Sequence, residues 1–529
     1  MNERLVEDWL TKASERSYQA AFAQALLADG MRVLRVGHSP HEHGKDILAI
    51  DERGKIHAYQ LKDGDLDLRG LERDLGQLTA LVETQVEHPA ISGQPAHQPW
   101  LVVSGRVSPP VEDRIRVQNI GWRKRRYAPL KLMTGTELVA KFVKMASNFW
   151  PQTPEDSHRL FNLYLAEGRA SLDRGALAKM VVAVVASSGK LAKAETARRL
   201  SAANLFTSYG LAPFYALKNH WELVQGWTIT AAHIAWAAEE GGLAQKAWRP
   251  TFRLAVGEAL TSLEALASEA LEPDALGPRG FELDELTRSR CTICAGAVGA
   301  KVVIDRHHGA RWRQEPLAKQ NLERLSSNAR LVLWGESAVP FFLAVVWALD
   351  CLRGDQFSDR ILFSVLAGLV HQNSRPSAPK LPHPYDSADE ANVKALRRLF
   401  ESETALELRA TASYTLEPLI TMVARRMWRN ALAANWSPIT KTDFVRLVPD
   451  KPRDLLLWHW GQERGSNQTR SFPAPQSWRE LLAESRREGE PLPTVIKEDF
   501  AFAMLFLLCF PQRLSTALVK HIEKEMQTL

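Results

Sequence analysis

From Glu42 to Lys62 the chain reads EHGKDILAIDERGKIHAYQLK. Two short runs rich in Ile, Leu, Ala and Tyr flank Glu52-Arg53-Gly54, a three-residue loop whose glycine supplies the left-handed residue that closes a β-hairpin. With Asp51 and Lys55 as the closing pair, the antiparallel ladder places Asp46 opposite Gln60. Side chains alternate faces along a strand, so Lys62 points the same way as Gln60, and three polar groups gather at one end of an otherwise apolar hairpin. A one-residue slip in register would separate them.

The flanking sequence extends this hairpin into a domain. Tyr18, Ala21, Phe22, Ala25 and Leu26 form a helical stripe that stops at Asp29-Gly30, and Leu68, Leu71, Leu75, Leu78 and Val82 form another. Met31–Val36, Trp100–Ser104 and Leu130–Met133 read as further strands, and Val111–Ile120 as a helix. The order is helix, three strands, helix, strand, helix, strand, helix. Residues 1–147 are therefore expected to form an α/β domain with a mixed sheet flanked by helices. Beyond it nearly every periodic segment is helical, including single helices expected over Glu417–Leu432 and Phe500–Ile522. Proline-rich loops at Ser374–Tyr385 and Gly465–Gln476 interrupt it. The expected division is an α-helical region over 148–373 and another over 386–529.

Composition narrows the class. With 529 residues, 45% hydrophobic and 24% charged, the chain is neither collagenous nor wholly disordered. Four cysteines exclude a disulfide scaffold and suit a reducing compartment. Met1–Leu10 has neither a basic leader nor an apolar run, and the longest apolar runs, Val339–Leu349 and Phe500–Phe510, fall short of the roughly 18 residues a bilayer span needs. No membrane association and a cytoplasmic location are the expectation. The formal net charge is +6, yet residues 106–144 alone hold ten basic and three acidic residues. Arg123, Lys124, Arg125 and Arg126, beside Trp122 and Tyr127, are candidate contacts to a nucleic-acid backbone.

A carboxylate, an amide and a lysine at one strand end suit a divalent metal site for phosphodiester hydrolysis. Asp46, Gln60 and the Leu61 backbone carbonyl offer the hard oxygen ligands that Mg²⁺ or Mn²⁺ takes, leaving positions for water and phosphate. Lys62 would orient or deprotonate the attacking water and offset charge in the transition state. Glu15, on the apolar side of the first helix, is a candidate fourth member, with Gln19 one turn on as its rival. Glu42 is a lesser candidate.

Asp46 followed by Gln60-Leu61-Lys62, after a helix and a glycine-ended turn, resembles the PD-(D/E)xK nuclease superfamily in its Mrr-like, D...QxK variant. The likeness extends through the helix, strand, helix and strand that follow the hairpin and covers residues 1–147. It implies a restriction-endonuclease-like fold and metal-dependent DNA cleavage, with Asp46 and Lys62 in the shared positions, Gln60 as the variant ligand and Glu15 on the helix. It also implies bacterial restriction or anti-phage defence as a context, with other defence proteins as possible partners and the helical part regulating, sensing or assembling. One site per chain favours a homodimer or larger assembly for double-strand cleavage. The alternative is an inert nuclease-fold subunit that binds DNA in a multi-protein complex.

Other signals are weaker. Cys291-x-x-Cys294 followed by His307-His308 lacks the spaced second histidine of a zinc finger, and a helix there makes the cysteines ordinary. Ser187-Ser188-Gly189-Lys190 lacks the earlier glycine of a phosphate loop. Arg425, Arg426 and Arg429 make a second candidate anion-binding face, with a solvated helix face as the default. The 16 tryptophans are read as packing.

Overall fold

The computed structural model describes residues 2–36, 45–86, 88, 90–91, 96–146, 154–185, 193–272, 285–327, 331–353, 357–374, 383–400, 412–459 and 464–527. Two compact units divide the chain, Met1–Thr261 and Ser262–Leu529. The first therefore takes in helical sequence well beyond residue 147.

Unit one is built on a five-stranded sheet in the order β1-β2-β3-β4-β5. Its strands are β1 (Arg32–Val36), β2 (Ile47–Ile50), β3 (Ile56–Lys62), β4 (His97–Val103) and β5 (Lys131–Met133). The first three pair antiparallel and the last two join in parallel, so the sheet is mixed as expected. Helices α1 (Asn2–Lys12), α2 (Glu15–Ala28), α3 (Leu68–Glu83), α4 (Pro109–Lys124) and α5 (Gly135–Ala146) accompany it. The hairpin turn closes with Asp51 N–H donating to Lys55 O at 3.0 Å, the Asp51 carboxylate accepting from the backbone of Arg53 and Lys55, and Gly54 at φ 79°. That turn fixes the register Ile47↔Tyr59, Leu48↔Ala58, Ala49↔His57. The connection after β3 is capped by Asp67, whose carboxylate accepts from Gly70 N at 2.8 Å and starts α3.

Alternation then sorts the strand. Ile56 and Ala58 of β3 join Leu48, Leu101 and Val103 in a buried core against Leu71, Leu78 and Leu81 of α3 and Val111, Ile115 and Trp122 of α4. Tyr59, on the other face, meets Phe22 of α2 edge-on at 5.3 Å. Further helices complete the unit. Trp9 of α1 packs on Phe142 of α5 and on Tyr209 of the helix Lys193–Gly210. A buried polar knot ties α2 to the same region. Gln24 donates to Ser201 Oγ at 2.9 Å and Thr251 Oγ1 at 3.3 Å, and accepts from Asn204 at 2.9 Å.

Unit two is mainly helical, with buried segments such as residues 339–349 and Phe500–Cys509. The sequence reading missed a small antiparallel pair, β6 (Phe444–Pro449) with β7 (Gly465–Arg470), the latter within an expected loop. The expected helix Glu417–Leu432 is two, Leu416–Arg425 and Arg429–Thr440, separated at Met427 with φ 63°. Phe500–Ile522 is likewise broken, because Pro511 cannot continue a helix. Among the described residues no helix is long and apolar enough to cross a membrane.

Candidate active site

β3 lies at the centre of the sheet, and the side chains of Gln60 and Lys62 continue the face that Ile56 and Ala58 turn towards α3. Asp46, just before β2, donates its N–H to Tyr59 O at 2.8 Å, which extends the ladder by one pair and sets its carboxylate beside Gln60. Gln60 Nε2 donates to Asp46 Oδ2 at 2.8 Å, and the backbone N–H of Leu61 donates to the same oxygen at 2.7 Å. Asp46 and Gln60 are buried, and Gln60 Oε1 has no hydrogen-bond partner. Such a buried acceptor is normally satisfied, so a ligand that supplies positive charge or a proton has a place there.

Lys62, two residues further along the same face of β3, reaches towards α3. Its Nζ donates to Gln77 Oε1 of α3 at 3.0 Å and lies 3.5 Å from Asp74 Oδ2 and 3.4 Å from Glu15 Oε1. Its backbone is fixed as well, since Lys62 O accepts from Tyr18 OH and from Ser104 N, both at 2.9 Å. The two helix candidates make different contacts. Glu15 meets Lys62, whereas Gln19 donates to the backbone carbonyl of Asp46 at 3.2 Å. Burial raises the Glu15 carboxyl above its ordinary range, with Asp63 and Asp74 adding to the rise and Lys62 opposing it. Tyr18, Asp74 and Gln77 were not foreseen. Tyr18 is hidden in the apolar stripe, and the α3 pair becomes visible once α3 is laid antiparallel to β3.

The structure joins Asp46, Gln60 and Leu61 in one hydrogen-bonded group, and pairs Lys62, next on the same face of β3, with Glu15. Among the described residues no group of three or more His, Cys, Asp or Glu is arranged to hold a metal, so any ion here would rely on two carboxylates with neutral oxygens. Glu42 lies outside the described residues, as do Ser187–Lys190. The basic tip is elsewhere. Arg125 pairs with Glu83 Oε1 at 2.7 Å and Trp122 Nε1 donates to the same oxygen at 2.9 Å. Glu83 ends α3, six residues and about 9 Å along the axis beyond Gln77. Arg123, Lys124 and Arg126 are exposed there.

A second basic surface in this unit escaped the sequence reading because its residues are scattered. A cavity of about 1180 Å³, between the C-terminal half of α2, β1, α5 and the helices Lys193–Gly210 and Gln245–Ala270, is lined by Arg32, Lys141, Lys144, Arg198, Lys246 and Arg253. Its acidic residues are Asp29, paired with Lys141, and Glu258. Glu258 is buried, accepts from Tyr215 OH at 3.0 Å, and is pushed up to about 7 by that burial. In the second unit Cys291, Cys294 and His307 share the helix Glu285–His307, with His307 13 positions, about 20 Å, beyond Cys294. They cannot ligate one ion, and His307 instead stacks on Phe500 at 3.9 Å.

No protein-family model, no curated protein and no solved structure matches this chain.

Proposed function

We propose that the chain is a divalent-metal-dependent DNA endonuclease. The observation that carries this reading is the Asp46–Gln60 pair at one end of a mixed sheet, with Lys62 next on the same face of β3 and paired there with Glu15 of α2. The donor set fits Mg²⁺ or Mn²⁺ in kind, because such ions accept one or two carboxylates and complete their shell with water and substrate phosphate oxygens. Asp46 and Glu15 would hold the ion with the Gln60 amide oxygen, which has no partner, and the Leu61 carbonyl. A bound cation supplies a Lewis acid and a water of lowered pKa.

The remaining work falls to the chain's own groups. The water oxygen forms a bond to phosphorus as a bridging P–O bond breaks, leaving a phosphate monoester on one end and a hydroxyl on the other. Lys62 donates to the phosphate oxygens and offsets their growing charge. Tyr18 and Ser104 hold the Lys62 backbone in place. Exposed Arg123, Lys124 and Arg126 serve as backbone contacts away from the reacting atoms.

Incubation of purified chain with plasmid DNA and Mg²⁺ tests this. Wild type should nick or linearise the plasmid, and Asp46→Ala and Lys62→Ala should each cut at least about 100-fold more slowly, the usual scale for losing a charge-stabilising group. Equal cutting by all three would sink the site. The second reading, an inert DNA-binding subunit, draws on Lys62 being engaged by Asp74, Gln77 and Glu15. It requires DNA binding that survives Lys62→Ala and no metal-dependent nicking.

A further inference from the structure

The second unit contains a cavity that the proposed chemistry does not use. It measures about 670 Å³, within the range of roughly 300–1,000 Å³ typical of small-molecule sites. Its walls come from the C-terminal ends of four helices: Glu285–His307, Val339–Arg353, Leu416–Arg425 and Thr516–Met526. Helix C-termini carry partial negative charge, which alone would draw arginines to this place. Most of the arginines are indeed neutralised. Arg306 donates to Glu315, with Nε to Oε2 at 2.9 Å. Arg426 donates to Asp350 at 2.6 Å and Asp359 at 2.8 Å, and Arg425 Nε donates to Glu523 at 3.1 Å.

Two donors remain after that neutralisation. Arg425 Nη1 and Trp347 Nε1 are both buried without a hydrogen-bond partner, and both residues line the cavity. Trp347 is 1% exposed, so solvent does not satisfy its indole N–H. A buried N–H left unpaired is costly, and two of them on residues that line one small-molecule-sized cavity indicate a missing acceptor. Arg311, exposed at the same wall, adds a positive charge. Met526 and Ala310 supply apolar wall, and Cys351, whose thiol burial pushes up to about 11, is neutral there.

We infer that this cavity binds a phosphate group, free or carried by a small metabolite of about mononucleotide size, with its oxygens accepting from Arg425 Nη1, Trp347 Nε1 and Arg311. Asp350 and Glu523 also line the cavity but already accept from Arg426 and Arg425, so the donors left over are the Arg425 guanidinium nitrogen and the Trp347 indole N–H, which suit an oxyanion. The site is independent of the proposed nuclease centre and survives or fails without it.

Calorimetric titration of the full chain with inorganic phosphate, adenosine 5′-monophosphate and adenosine decides the matter. Wild type should bind at least one of the two phosphate-bearing probes and not adenosine. Trp347→Phe, which keeps an aromatic side chain and removes the donor, and Arg311→Gln, at an exposed position, should each weaken that binding by about tenfold, the scale of one charge-assisted hydrogen bond. Tighter binding of the monophosphate than of phosphate assigns a phosphorylated small molecule, and the reverse assigns the free anion. Absence of binding by folded wild type, adenosine binding as tightly as its monophosphate, or unchanged affinity in both variants overturns the assignment. Tryptophan fluorescence and thermal unfolding of each variant verify that it is folded before titration.

Discussion

Gln60 separates this site from one with a further carboxylate. Its amide nitrogen lies 2.8 Å from Asp46 Oδ2, so the pair is stable without a cation. Gln60→Glu would replace that hydrogen bond with two carboxylates in contact, which destabilises the empty site and strengthens its hold on a divalent ion. The variant should melt below wild type in chelator and gain more from Mg²⁺, with metal affinity raised about tenfold or more, as one added charge at short range implies. A Mg²⁺-induced shift no larger than that of wild type would count against a metal at this place. Glu258 makes a separate prediction. Its folded pKa of about 7 lies above the ordinary value of 4.5, so the stability tied to its protonation is complete below about 4.5 and lost as pH rises to about 7. Chemical denaturation across that window should show wild type losing on the order of 3 kcal/mol more than Glu258→Gln.

At the scale of elements, the hairpin was the most legible part of the chain. Its turn chemistry, Asp51 to Lys55 around Gly54, sets the ladder that puts Asp46 beside Gln60, and both are local in sequence. Glu15 was legible as a carboxylate on an apolar face, but its target was not, because the approach of α2 to Lys62 is set by packing of Phe22 on Tyr59. Asp74 and Gln77 carry no sequence signal for the same reason. Helix boundaries failed where a single residue adopts an unusual backbone. Met427, 57% exposed with φ 63°, breaks what the apolar period continues. Met427→Gly should relieve that left-handed strain at little packing cost and raise the free energy of unfolding by up to about 1 kcal/mol. A loss of stability on chemical denaturation would mean that the Met427 side chain contributes more than its exposure suggests.

Over the whole molecule, charge is a matter of place rather than total. The +6 net charge is distributed so that the tip at Arg123–Arg126 and the cavity ringed by Arg32, Arg198 and Lys246 each present concentrated positive surface. Replacing Arg123, Lys124 and Arg126 with Gln should lower the dependence of DNA affinity on salt by about three ions, near 0.9 for each phosphate no longer neutralised. If the slope instead falls on replacing Arg32, Arg198 and Lys246, the cavity carries the duplex. The buried knot of Gln24, Ser201, Asn204 and Thr251 bears on how the molecule can be taken apart. Cutting after residue 147 strips Gln24 of all three partners and uncovers Trp9, whereas a chain carried to Ala270 keeps both. The shorter piece should aggregate and the longer one unfold cooperatively. A portable piece that keeps the Asp46–Gln60 hairpin in its native packing is therefore nearly twice as long as residues 1–147, and Gln24, which sets that length, also lines the cavity ringed by Arg32, Arg198 and Lys246.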